Sequence, residues 1–383
     1  MRWWGSGPRR QMPALLAVLV SFGLVIAGCG GAAQPSAGGG ASSSPATRAS
    51  SGAAPANGGA AASGGAAASG GAAGVDPDTQ NASLQHTTVA YSSYANAFAP
   101  LYLATDAGLF AKYGLDVDLT YVGSATTVTQ GLQAGDIAFA GVGPSVIEAH
   151  LAGSDLVVIA DLLPILLFSL YGDPSINSLQ DLRGKTLGST RPAATGDQAT
   201  YLLLKRIGLV PDRDVTIAHF GEVGSILAAM QQHLADAALL SAPTTLRARE
   251  LGFKEIVNLG DLHIPFIHDA ITTSARYARE NPDTVRRFLK GYIEGLKLTR
   301  EDKPSAMQAI GKYTKTDDPR FQEEAYDNVV GALPRFPRVS EEVIQAVLDE
   351  SQAPNAKSAK ATDFYDNSYV DALQQWTDQL YQQ

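Results

Sequence analysis

The chain has 383 residues, 45% of them hydrophobic, enough to bury one or two cores, which excludes wholesale disorder. It holds 29 Lys+Arg, 38 Asp+Glu and a single Cys, so a disulfide scaffold and any zinc module built on several thiols are excluded. Four basic side chains (Arg2, Arg9, Arg10, Arg48) and no acidic one fall in the first 75 residues, leaving 25 basic against 38 acidic and a net near −13 for the rest. So acidic a domain, without a basic run, repels a phosphate backbone and excludes nucleic acid as a partner.

Residues 1–28 read as a signal peptide: Arg2, Arg9 and Arg10 precede a 14-residue apolar run from Ala14 to Ala27. A spanning helix needs about 20 apolar residues, so the run suits a removable export signal. Ile26-Ala27-Gly28-Cys29 resembles the bacterial lipobox, in which the cysteine is acylated and becomes the new N-terminus, and Cys29 is the expected lipidation site. Arg9-Arg10 matches a twin-arginine signal poorly, since Gln11-Met12-Pro13 follow. Residues 29–85 then read as a tether: from 30 to 74, 41 of 45 positions are Ala, Gly, Ser or Pro, and Arg48 is the sole charge. Such a segment cannot pack a core. As a Gly-rich coil it spans roughly 35–40 Å, which holds a globular domain clear of a membrane.

From His86 onward strands and helices alternate, which predicts an α/β fold with mostly parallel sheets. Thr87–Tyr91 is the first strand. A helix over Pro100–Lys112 closes at Tyr113-Gly114, and Leu115–Val122 alternates with a period of two. Gly123-Ser124 leads through a helix carrying Val128 and Leu132 to Ala134-Gly135-Asp136, a strand over Ile137–Ala140, and Gly143-Pro144-Ser145. Gly221 opens a second pass of the same kind, through Ile226, Leu227 and Met230 to Leu234-Ala235-Asp236, the strand Ala237–Leu240, and Ser241-Ala242-Pro243. This weak repeat predicts two lobes of related construction. Val157–Ala160 and then Leu162–Tyr171 are apolar enough for a strand crossing between them, Ile176–Gly188 opens the second lobe with a short helix and a strand, and His268–Thr273 crosses back. Asn281-Pro282 form an N-cap and N1 pair before a helix whose apolar face is Val285, Phe288, Leu289, Tyr292, Ile293 and Leu296. One last helix carries Tyr369, Leu373, Trp376 and Leu380. The expected boundaries are residues 86–170 for the first part of lobe 1, 171–269 for lobe 2, and 270–383 for the return to lobe 1 and the C-terminal helices.

Four stretches in this order resemble the solute-binding proteins of ABC importers, in the nitrate/sulfonate/taurine and thiamine-precursor-like family. They are Ala99–Ala104 with Gly108-Leu109-Phe110 and Tyr113-Gly114-Leu115; Gly135–Phe139; Ile176 with Ser178-Leu179 and Asp181–Lys185; and Asn281–Val285. The resemblance covers about residues 86–300. It implies a two-lobed periplasmic-binding-protein type II fold with two crossing hinge strands, a solute in the cleft, and a closed form recognised by ABC permease subunits. It further implies a monomer held at the membrane by its lipid, with no cofactor and no catalytic residue. Two rivals are an enzyme on the same fold acting on a pyrimidine or related precursor, and a binding lobe that feeds a sensor. Against an enzyme stand the missing Gly-x-Ser-x-Gly elbow and the lack of any Cys after Cys29.

In open α/β sheets ligands sit beyond the carboxyl ends of strands, so the strand-end loops supply the candidates. After the first strand come Tyr94 and Asn96, flanked by small residues that leave room. Ser124 and Thr126 open a helix whose free N–H groups and dipole favour an anionic group, although either side chain can serve as an ordinary N-cap. Gly141-Val142-Gly143-Pro144-Ser145 lacks the third glycine of a dinucleotide fingerprint, position 146 being Val, and Gly143 and Ser145 instead suit a loop where backbone approaches a ligand. In lobe 2, Thr195-x-x-Gln198 reads as a capping box preceded by Arg191, a partner for an anion. Glu222 can instead select an amine, and Ser241 ends a strand of the same lobe. His263 and His268 lie five apart with no further ligand nearby in sequence, so no metal site is expected. Sulfonates, nitrate, aromatic acids and pyrimidines all remain open as solutes.

Overall fold

The computed structural model describes residues 83–382, so the expected signal peptide, Cys29 and nearly all of the tether lie outside the described residues. Along the chain, β1 (Gln85–Tyr91) leads through α1 (Ala99–Asp106) and α2 (Leu109–Lys112) to β2 (Leu115–Tyr121), α3 (Ala125–Ala134), β3 (Phe139–Val142), α4 (Ser145–Leu151) and β4 (Leu156–Ile165). Next come β5 (Ser169–Gly172), β6 (Thr186–Thr190), α5 (Thr195–Arg206), β7 (Thr216–Gly221), α6 (Val223–Gln231), β8 (Ala237–Leu240), α7 (Thr244–Glu250) and β9 (Lys254–Asn258). Then β10 (Pro265–Ser274) precedes α8 (Ala275–Glu280), α9 (Pro282–Glu301), α10 (Lys303–Thr314), α11 (Pro319–Val330) and α12 (Glu341–Glu350), with the short α13 (Ser368–Asp371) and α14 (Gln374–Leu380) last.

Two five-stranded mixed sheets result, ordered β2-β1-β3-β10-β4 and β7-β6-β8-β5-β9. In each, the first three strands are parallel and the last two run against their neighbours. The chain leaves the first sheet at Ile165 and enters the second at Ser169; it leaves the second at Asn258 and re-enters the first at Pro265. These two crossings join the lobes. They are almost wholly apolar and buried, from Leu156 through Leu170 on one side and Ile264 through Ile271 on the other, because sheet, helices and the opposite crossing cover them on every face.

Apolar packing follows the same division. One cluster joins Val89, Phe98, Leu101 and Phe139 to the apolar face of α9, where Phe110, Phe139 and Phe288 stack. A second runs from Val128 and Ile147 through the crossings (Leu166, Phe168, Phe266) to Leu187 and Leu203, and takes in Val343, Ile344 and Val347 of α12. A small third cluster, around Tyr171, Ile226 and Met230, fills the far face of the second sheet. The lobes are also fastened at their edges. On α11, Glu324 accepts from Thr245 (2.6 Å) and pairs with Arg249, both on α7, and Arg320 pairs with Glu250 at 3.0 Å. Behind the crossings, Glu350 at the end of α12 pairs with Lys205 at 2.7 Å, and Glu148 on α4 accepts from Ser351 and Gln198.

Some local expectations are corrected. The helix expected over Pro100–Lys112 is two helices, because Gly108 stands at φ 68°, a left-handed conformation that ends one helix and caps the next. Val157–Ala160 and the start of the apolar run form one continuous ten-residue strand. The last helix is likewise two short pieces, α13 and α14. Asn281 precedes α9 as expected, but its side chain gives no cap and donates instead to the Tyr277 carbonyl.

Candidate functional site

Because the three parallel strands of each sheet end at the same edge, their loops face one another across a cavity of about 650 Å³ whose floor is the two crossings. The first lobe contributes Tyr94 after β1, Ser124 and Thr126 after β2, and Gly143 and Ser145 after β3. The second contributes Arg191 and Thr195 after β6, Glu222 after β7 and Ser241 after β8. Nine of the ten sequence-predicted residues thus stand around one space.

The tenth, Asn96, does not. It is buried, and its Nδ2 donates to the Ala325 carbonyl (2.7 Å) and to Asn328 Oδ1 (3.1 Å), tying the loop after β1 to α11. Its partners lie more than 200 residues away, which is why the flanking sequence gives no hint of this role. Thr195 is also reassigned: it is not an N-cap, since Ala194 occupies that position, and its Oγ1 donates to the His268 carbonyl at 2.8 Å. Asp197 settles that helix start instead, accepting from Ala193 N, Ser189 Oγ and His219 Nε2. Ser124 does cap α3, accepting from Thr127 N at 3.2 Å.

Arg191 and Glu222, expected as alternative anchors for opposite solute charges, bind each other: Arg191 Nη2 lies 2.7 Å from Glu222 Oε1. The same carboxylate oxygen accepts from Tyr121 OH of the first lobe at 2.7 Å, so Glu222 ties the two sides of the cleft together. Tyr121 stands opposite Tyr91 in the β1–β2 register and stacks on Tyr94, with ring centroids 4.1 Å apart. Burial, the bond to Glu222 and its negative charge push the Tyr121 hydroxyl up to about 12, which keeps it a donor at neutral pH. Lys315 completes the row, donating to Tyr94 OH at 2.8 Å and lying over its ring. At Gly143 the halves approach so closely that a Cβ there would stand 2.1 Å from Thr195 Oγ1 and 2.8 Å from the His268 carbonyl. Sequence alone passed over Tyr121, because it ends an alternating strand and reads as one more edge residue.

The floor was missed as well. Phe168 and His268, one on each crossing, stack with centroids 4.8 Å apart, and His268 Nδ1 accepts from Leu167 N at 3.2 Å. Burial lowers His268 to about 4, so it stays neutral with its proton on Nε2. Asp269 beside it lines the cavity at 4% exposure. Asp161, on the other crossing, pairs in the sheet with the next residue, Ala270, across a register shift, and is near enough for its charge to act on Asp269. Burial raises Asp161 to about 8, and burial together with the charge of Asp161 drives Asp269 well above the usual carboxylate range. Among the described residues no Lys or Arg pairs with either of these two hinge carboxyls. Their sequence signal, single acids within long apolar runs, could have marked them, for such residues are rare without a reason. Among the described residues no three His, Cys, Asp or Glu side chains gather as a metal would require, and no helix is long and apolar enough to cross a membrane.

Residues 95–306 match the family model described as NMT1/THI5 like. A riboflavin-binding protein, RibY, from Chloroflexus aurantiacus is 29% identical over 231 residues, 56% of this chain and 62% of its own. Among solved structures, the alkanesulfonate-binding protein SsuA from Xanthomonas axonopodis superposes with a TM-score of 0.61 at 18% identity, over 74% of this chain and 99% of its own. The periplasmic nitrate-binding protein NrtA from Synechocystis gives 0.62 at 14% identity, over 76% and 89%. At such identities the two structures speak for the shared two-lobed fold.

Proposed function

Since the chain belongs to the NMT1/THI5-like family, we propose that it is an extracytoplasmic receptor that captures a small organic or anionic solute between its lobes and presents the closed form to an ABC permease. One observation carries this reading: one cavity is walled by the strand-end loops of both lobes and floored by the two crossings that join them. A solute there touches both halves, so it favours the closed form by the contacts that the open form lacks. The names of RibY, SsuA and NrtA, each a binding protein for a small solute, support the same reading. Lipidation at Cys29 and the Ala/Gly/Ser-rich tether would keep the receptor at the membrane where the permease lies.

The test is small-angle scattering and thermal unfolding with riboflavin, alkanesulfonates, nitrate, aromatic carboxylates and pyrimidines. One class should compact the protein and raise its Tm, by about 2.7 kcal/mol of stability at a hundredfold excess over Kd. Unchanged scattering with every class, or turnover of one of them, would sink the proposal. Separately, Cys29→Ser should move the full chain from the membrane fraction to the soluble one.

A further inference from the structure

The charge inventory of the cavity is short. Arg191, Glu222 and Asp269 are its only charged or chargeable side chains among the described residues apart from the neutral His268. Arg191 is answered by Glu222. Asp269 is answered by nothing: His268 Nε2 stands 3.9 Å from Asp269 Oδ2, beyond hydrogen-bonding distance, and no described group donates to that carboxyl. Asp269 is thus a cavity-lining residue at 4% exposure whose carboxyl no described group reaches with a donor, which leaves it open to one from the cavity. The groups that face it from neighbouring elements offer no compensating charge. They are Asp161 on β4, the Tyr102 hydroxyl from α1 and the Tyr292 hydroxyl from α9, the last with no hydrogen-bond partner of its own.

The opposite side of the cavity has the reverse character. The nine-residue helix α6 begins there without a side-chain cap, and Val223, Gly224 and Ser225 of its first turn line the space beside Arg191. Among the described residues its first-turn N–H groups have no side-chain acceptor, and of the Arg191 guanidinium only Nη2 is engaged, by Glu222 and by the Ser92 carbonyl.

Resting on the receptor reading above, we propose that the solute is bipolar: a cationic nitrogen or N–H donor meets Asp269 at the hinge, and an acceptor or anionic end meets the first turn of α6. Binding then supplies Asp269 with the donor that the protein withholds, and because Asp269 lies on a crossing, the contact acts where the lobes pivot. A simple anion such as nitrate, or an alkanesulfonate without a nitrogen, satisfies only one end.

Four probes that share a frame test this: 4-(aminomethyl)benzoate, 4-methylbenzoate, benzylamine and 4-methylbenzyl alcohol, each titrated by calorimetry and thermal shift against the full chain. The bipolar probe is expected to bind at least tenfold tighter than 4-methylbenzoate, and Asp269→Asn to reduce that gap to under twofold. Asp161→Asn, which removes a carboxyl that does not line the cavity, should keep the gap. Wild-type binding of 4-methylbenzoate as tight as the bipolar probe, no binding by the bipolar probe, or a gap that survives Asp269→Asn overturns the inference. Because the ordering is read first on wild type, a failure of Asp269→Asn to fold leaves the test standing. Compaction by the anion alone keeps the receptor reading and removes the donor assignment, whereas loss of the receptor reading requires that the wider solute panel also fail to close the protein.

Discussion

The two lobes share a strand order, β2-β1-β3-β10-β4 against β7-β6-β8-β5-β9, yet they furnish the cavity differently. The first offers an uncharged wall of rings and hydroxyls, with Tyr94 stacked on Tyr121 and Ser124, Thr126 and Ser145 at loop ends. The second offers an ion pair, Arg191 with Glu222, among small residues, chiefly Gly, Ala, Ser, Thr and Pro. The likeness belongs to the sheets, where β3 and β8 hold equivalent places and their flanking strands follow suit. The difference belongs to loops, which a scaffold of this kind leaves free to vary. The aromatic wall and the ion pair therefore stand on separate halves, with Asp269 on a crossing between them.

Four changes would break or sharpen that division. The largest effect is expected from Gly143→Val, whose side chain would run into Thr195 and the His268 carbonyl; the lobes should stay apart, with solute affinity down about 100-fold and a larger radius of gyration under saturating solute. Next, Asn96→Ala should cost about 2 kcal/mol of stability in urea unfolding, because the Ala325 carbonyl and Asn328 lose a buried partner, while solute affinity stays within twofold. A matching loss of affinity would return Asn96 to the cavity.

The third change concerns the hinge that both lobes use. Asp161 is raised to about 8 from a carboxylate's ordinary value, so the folded chain holds a proton that the unfolded chain has released. Stability must then fall as pH rises towards 8, and Asp269, also raised, acts in the same sense. His268, lowered to about 4, works oppositely but only below its ordinary value of 6.5. Between pH 6.5 and 8, Asp161→Asn should therefore flatten the decline, by up to about 1.4 kcal/mol per pH unit for one proton. An unchanged slope would place Asp161 as an ordinary ionised group. Smallest is Tyr121→Phe, which removes the single hydroxyl that links the aromatic wall to Glu222: about 1 kcal/mol, seen as roughly fivefold weaker solute binding with Tm nearly unchanged.

Much of this architecture could be read from residue order. Apolar runs at Val157 and Leu162 announced a buried strand and a crossing, and the twin series Gly123 to Asp136 and Gly221 to Asp236 announced matching units, because hydrophobic period and turn residues act locally. The positions beyond strand ends followed from the same logic, which is why nine chosen residues meet in one cavity. What stayed hidden depends on partners distant in sequence. Asn96 finds α11, Arg191 finds Glu222, and Asp161 and Asp269 meet only once β4 and β10 lie side by side. Nothing near Tyr121 says that a carboxylate of the other lobe will sit 2.7 Å from it.

The interleaving of the sheets has a consequence for how the molecule comes into being. Every strand of the second sheet lies in one uninterrupted stretch, Ser169 to Asn258, whereas the first sheet leaves a gap between β3 and β4 that only β10, ending at Ser274, can fill. A chain made or released from its N-terminus can thus complete the inner half first, while β4 waits without a ladder partner for more than a hundred residues. The outer half is closed last, around a module already formed, and with it comes the part of the cavity floor that Asp269 supplies.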